Sequence, residues 1–295
     1  MVAAPRRLGP EDRLGRLAAR LQSRWWALVP LASIVIVVFG IQAASGTANG
    51  LTWLALIAVP ILAATSFGWA IRGSRWWMGL VVAPLLALAW VSPRSIWGQA
   101  AATLLTAFSC VTLGVLLASV CPPRWVKIGI VLMAAGDSYL VLSNLLQAPN
   151  TVLVGAVPAP GLPQLQGITF QDILLGYGDV FVAALFGAVL AREGRSGRAQ
   201  LGMALLTLVL AGLFDLLFFT LSELPATVPV ALAVIFSEGW RLRSRRRAGA
   251  AGRERQWGSS PVEAGGRDSS ASEVMASVPR AASSSTSVAS SAERE

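Results

Sequence analysis

Apolar residues in this chain fall into blocks close to twenty residues long, separated by short polar breaks. A membrane-spanning helix needs roughly 20 apolar residues, whereas helices of soluble domains show a one-sided stripe. On that ruler the pattern predicts about eight spans, at 26–44, 51–71, 76–92, 96–120, 126–146, 168–191, 200–221 and 225–240. Ahead of them, Leu14, Leu17, Ala18 and Leu21 recur at helical spacing between Arg13, Arg16, Arg20 and Arg24, so residues 1–25 read as a basic amphipathic segment on an anionic leaflet. Gln42-Ala43-Ala44-Ser45 after the first apolar run suits a cleaved signal peptide, but the long charged lead favours an uncleaved signal anchor. Residues 148–167 form a proline-rich connection whose apolar centre, Val152–Val157, suits either the membrane interface or a return into the bundle. Residues 241–295 are basic at first and then rich in Ser, Ala and Gly, which predicts a disordered tail.

Composition agrees with the hydropathy pattern. Only 13% of the 295 residues are charged and 55% are hydrophobic, against about 25% charged in soluble domains. The predicted class is therefore an all-α polytopic membrane protein, with a bacterial cytoplasmic membrane as the expected location. The net charge of +9 is spread over loops and reads as a set of topology determinants, not a nucleic-acid surface. Basic residues cluster at the N-terminus, at Arg72 and Arg75, at Arg124 and Lys127, at Arg192, Arg195 and Arg198, and at Arg241–Arg247. With eight spans, all of these fall on one side and only Arg94 on the other, which predicts both termini in the cytoplasm.

Two absences narrow the chemistry. The chain has no histidine, so it lacks the Ser-His and Cys-His pairs and the H-E-x-x-H zinc site of other proteases. Its two cysteines, Cys110 and Cys121, are expected to be free thiols.

Carboxylates inside apolar segments are costly and mark function. After Glu11 and Asp12 the next acidic residue is Asp137, and Asp172, Asp179, Asp215, Glu223 and Glu238 follow in or beside later spans. Asp137 lies about eleven residues into an outward span and Asp179 about eleven into the next, inward one. At 1.5 Å per residue, both reach about 17 Å, near the middle of the hydrocarbon. Two close carboxylates share a proton; one activates water while the other hydrogen-bonds a carbonyl oxygen, without histidine, serine or metal. Asp172, Asp215, Glu223 and Glu238 are weaker candidates. Lys127, the single lysine, carries no assigned mechanism.

Gly176-Tyr177-Gly178-Asp179 resembles the G-x-G-D motif of the presenilin and signal-peptide-peptidase family of intramembrane aspartyl proteases. Asp137 stands in the preceding span, where that family has its other aspartate. Leu224-Pro225-Ala226-Thr227-Val228-Pro229 is similar to the Pro-Ala-Leu motif at the start of its final span. Gly136 replaces the usual tyrosine, with Tyr139 two residues after Asp137, and Thr227 replaces the leucine. The matching region covers about residues 130–235.

The resemblance implies a presenilin-like bundle that cleaves transmembrane or signal-peptide helices with an Asp137/Asp179 dyad and no cofactor. Gly176, Tyr177, Gly178, Pro225, Ala226 and Thr227 would then position substrate, with Tyr139 and Asp215 as secondary candidates. The orientation is that of signal peptide peptidases and implies type II substrates, N-terminus cytoplasmic. The alternatives are a type IV prepilin peptidase-like enzyme, which shares Gly-Tyr-Gly-Asp-Val, and a proton-coupled transporter or inactive membrane scaffold.

Overall fold

The computed structural model describes residues 46–143, 161–170, 173–216 and 227–258, with isolated positions before and between them. The expected amphipathic segment 1–25 and most of the span 26–44 lie outside the described residues, as do residues 259–295. The chain divides into two units, Met1–Arg246 and Arg247–Glu295. Within the second, the described residues are the C-terminal turns of one helix.

The described elements are mainly helical. α1 is Gly46–Thr65 and continues through a π turn at Ser66–Ala70; a 3-10 turn at Trp76–Val81 leads into α2, Val82–Val91. α3 is Ile96–Val120 and α4 is Pro123–Leu142. A hairpin of β1, Gly167–Phe170, and β2, Ile173–Gly176, is followed directly by α5, Tyr177–Arg192. α6 is Gly197–Asp215 and α7 is Val228–Gly258. Four helices among the described residues are long and apolar enough to cross a membrane: Ala48–Ala70, Ile96–Val120, Pro123–Leu142 and Gly197–Phe214.

Local sequence explains where several of these helices begin and end. Ser95 caps α3 by accepting from the Gly98 amide at 3.0 Å, and Ser196 caps α6 by accepting from the Ala199 amide at 3.3 Å. Pro123 opens α4 at a position whose amide would be unpaired anyway. Past α5, Gly194 has φ +75. Its amide bonds Ala191 O and that of Arg195 bonds Leu190 O, a Schellman end that requires a residue tolerant of left-handed backbone.

Two expected segments come out differently. The predicted span 168–191 opens as an antiparallel hairpin, with Phe170 opposite Ile173 and Gly167 opposite Gly176. Helix starts only at Tyr177. An apolar run with isoleucine, threonine and phenylalanine suits a strand as well as a helix, and strand pairing satisfies its backbone. At the other end, α7 runs on through the arginine cluster to Gly258, past the expected limit at 240. A helix already nucleated inside the bundle extends into alanine- and arginine-rich sequence without a new nucleation cost.

α5 packs chiefly on α3. Their backbones come close at Gly114, where a Cβ would stand 3.0 Å from Ala184 C and Leu185 N. One buried cluster joins α3, α4, α5 and α7 through Val115, Ile130, Met133, Leu185, Phe186 and Val234. A second joins α1, α2 and α3 with Leu165, so the connection before the hairpin folds back into the bundle there. Large apolar side chains such as Leu54, Ile61, Leu208 and Val209 point outward. Water would penalise that surface; lipid tails do not. Trp76 and Trp97, near helix starts, are exposed, as is Trp240 beside Arg241, the arrangement of interfacial aromatic anchors.

Candidate functional site

Asp137 lies on α4, little more than one turn before that helix ends. Its Oδ2 accepts a 2.7 Å hydrogen bond from Thr227 Oγ1, and its carboxylate also accepts from the Thr227 backbone amide. Thr227 is 1% exposed and immediately precedes α7. Its carbonyl accepts from the Ala231 amide at 3.1 Å, so it is the cap residue of α7. Its hydroxyl reaches across to α4 instead of back onto its own helix. The Asp137 carboxylate thus sits at the positive end of α7.

Asp179 is the third residue of α5, and Gly176 is the cap. The Asp179 carboxylate accepts from the Gly176 amide, the half of a capping box in which an acid at the third position reaches back. Gly176 has φ −65 and ψ 148, a conformation any residue adopts. The constraint on it is space: a Cβ there would lie 2.9 Å from Asp179 Oδ2. At Gly178 a Cβ would meet only Met133 Cε, at 4.0 Å, so that glycine faces α4 one turn before Asp137. The two glycines have different jobs.

α4 and α5 approach one another where Gly178, next to Asp179, faces Met133, one turn before Asp137. The C-terminal end of α4 and the N-terminal ends of α5 and α7 therefore converge on one pair of carboxylates. The route to that meeting differs from the expected one. Asp179 is in the first turn of its helix, with a hairpin before it, and not eleven residues into a helical span.

Other expected site residues are placed as follows. Tyr177 turns toward α3: its hydroxyl lies 3.0 Å from Ser109 Oγ, and its carbonyl accepts from Cys110 Sγ at 3.8 Å. Tyr139 is 67% exposed, on the opposite side of α4 from Asp137, as a two-residue offset on a helix dictates. Pro225 and Ala226, and the side chain of Asp215, lie outside the described residues. Among the described residues, no group of three or more His, Cys, Asp or Glu side chains is placed to hold a metal ion. Cys110 and Cys121 are free and buried. Burial pushes the Cys121 thiol up to about 11, partly offset by the nearby Arg192 charge.

One expected residue has a different contact, and two sets of residues escaped sequence reasoning. Thr227, expected to position substrate, is the hydrogen-bonding partner of Asp137; a hydroxyl at a helix cap was the signal. Arg192 Nη1 donates to Cys121 O at 2.6 Å and also to Ala118 O, closing the end of α3. Lys127, buried at 6% exposure, pairs with Glu193 and Glu238. A lone lysine at the start of the predicted span 126–146 was the hint of that cluster.

No model of a known protein family matches the sequence, and neither a curated protein nor a solved structure does.

Proposed function

We propose that this chain is an intramembrane aspartyl protease of the presenilin and signal-peptide-peptidase type. It is an eight-span protein of a bacterial cytoplasmic membrane with both termini cytoplasmic. The observation that carries the reading is the pair Asp137 and Asp179 on neighbouring helices, Asp137 held by Thr227 at the cap of α7 and Asp179 by the cap of its own helix α5. In this arrangement one carboxylate holds a proton and the other is ionised. The ionised group takes a proton from water as the water oxygen bonds the scissile carbonyl carbon. The protonated group donates a hydrogen bond to the carbonyl oxygen. Collapse of the tetrahedral adduct breaks the C–N bond, and the proton passes to the leaving nitrogen.

The substrates are transmembrane or signal-peptide helices of type II orientation. A helix hides its peptide bonds, so the scissile region has to unwind before water reaches a carbonyl. Unwound backbone inside a membrane needs hydrogen-bonding partners. β2 ends at Gly176, three residues before Asp179, and among the described residues pairs with β1 alone. Strand addition at its open edge would supply those partners beside the dyad.

The reading is tested with the purified full-length chain and a fluorogenic transmembrane peptide in detergent. Asp137→Asn and Asp179→Asn are each expected to abolish cleavage with melting temperature retained. Full turnover in either folded variant would sink the dyad.

A further inference from the structure

Away from the aspartates, the same three helices meet a second time. Lys127 Nζ, on the first turns of α4, lies 2.6 Å from Glu193 Oε1, at the cap of α5. It also contacts Glu238 Oε1 on α7. Arg241 Nη1, one turn further along α7, is 3.2 Å from Glu193 Oε1 and 3.7 Å from Glu238 Oε1. Arg195 Nε stands 3.9 Å from Glu193 Oε2. Measured along each helix at 1.5 Å per residue, this cluster is about 15 Å from Asp137, about 21 Å from Asp179 and about 16 Å from Thr227.

We infer that the Lys127–Glu193–Glu238 cluster sets the axial register of α4, α5 and α7 and thereby positions Asp137 against Asp179 and Thr227. Its residues are positioning residues, acting through the helices they tie. The seam above them is apolar throughout, mixing Ala134, Ala188, Ala231 and Ala233 with Ile130, Met133, Leu185 and Phe186. Apolar contact carries no charge or hydrogen bond that singles out one axial offset, and lipid offers no hydrophobic penalty for the alternatives. A slip of one turn, about 5.4 Å, would carry each carboxylate away from Lys127 and leave buried charge unpaired. Because desolvation offsets much of a buried ion pair's attraction, the cluster adds little net stability. What it discriminates against is the wrong register.

This inference rests on the protease reading for its kinetic arm only. A geometric arm stands alone: in the full-length chain with Cys110→Ala and Cys121→Ala, the pair Asp137→Cys/Thr227→Cys is oxidised in liposomes and disulfide yield is measured. Adding Lys127→Met/Glu193→Gln/Glu238→Gln removes the charges at similar volume. The expected result is a melting temperature near the parent's with disulfide yield lowered about fivefold. In the chain with both aspartates, kcat falls about tenfold at unchanged KM, and Lys127→Arg, which keeps the charge, retains most of both signals. Should the triple variant fail to fold, Glu238→Gln alone, at a half-exposed position, is expected to fold and still lower the yield about twofold. Disulfide yield unchanged in a folded variant overturns the inference. So does a lowered melting temperature with the yield retained, which is the signature of a purely stabilising cluster. A wild-type chain that cleaves no peptide refutes the protease reading and leaves the crosslinking result standing.

Discussion

Thr227→Val tests the Asp137 side of the site most directly. Valine keeps one methyl of threonine and replaces the hydroxyl by another, so shape at this buried cap changes little while the 2.7 Å donor to Asp137 Oδ2 is lost. The Thr227 backbone amide still reaches the carboxylate, which keeps the loss partial. A hydrogen bond to a charged group contributes about 1.5–3 kcal/mol. Expressed in the transition state, that is a fall in kcat of roughly 10- to 100-fold, since each 1.4 kcal/mol is tenfold. KM is expected to move less than about twofold, because no contact made equally to bound substrate and transition state is removed. The same bond joins α4 to the start of α7, so stability should drop by about 1 kcal/mol. Steady-state cleavage of a fluorogenic transmembrane peptide, paired with thermal melting in the same detergent, measures both. Thr227→Ser restores the hydroxyl and should recover most of the loss. A valine variant with wild-type kcat would refute the reasoning, as would a serine variant as impaired as valine.

Three further outcomes follow from glycine packing. Gly176→Ala places a Cβ 2.9 Å from Asp179 Oδ2; the carboxylate must swing off the Gly176 amide, so kcat is expected to fall about 100-fold with melting temperature near wild type. Gly178→Ala meets only the flexible Met133 Cε and should melt as the parent does; a large drop would mean the α4–α5 approach is tighter than described. Gly98→Ala drives a Cβ into Ser92 O in the α2–α3 turn, and overpacking of backbone there should cost about 3 kcal/mol, read as a lowered melting temperature. An unchanged melting temperature would show that the turn relaxes freely.

Much of the site was legible as residue identity and little of it as contact. Asp137 and Asp179 stand out because a carboxylate in an apolar block is conspicuous by itself. The depth calculation that paired them assumed continuous helix through residue 168, and the hairpin removes that premise. Counting from the Lys127 cluster instead puts Asp179 about 6 Å further along its helix than Asp137 is along its own, so the two meet through packing and not through equal depth. The hairpin had its own faint signal in two four-residue β-prone runs, bounded by Gly167 and Gly176 and separated by Gln171-Asp172. An apolar run of that kind has no period that separates strand from helix.

The sequence by itself determined the apolar helices near 51–71, 76–92 and 96–120, with the length and composition that suit a membrane, and the acidic residues worth weighing. Each is a local property, a sum of transfer free energies over a window or the cost of one charge in it. Tertiary structure alone decided which donor holds which carboxylate. Thr227 and Asp137 are 90 residues apart, Lys127 and Glu193 66, and Lys127 and Glu238 111. Such pairings depend on the relative rotation and offset of whole helices, and a uniformly apolar helix surface encodes neither. Where helix surfaces are this apolar, a few buried hydrogen bonds and ion pairs choose one arrangement among many of similar apolar contact.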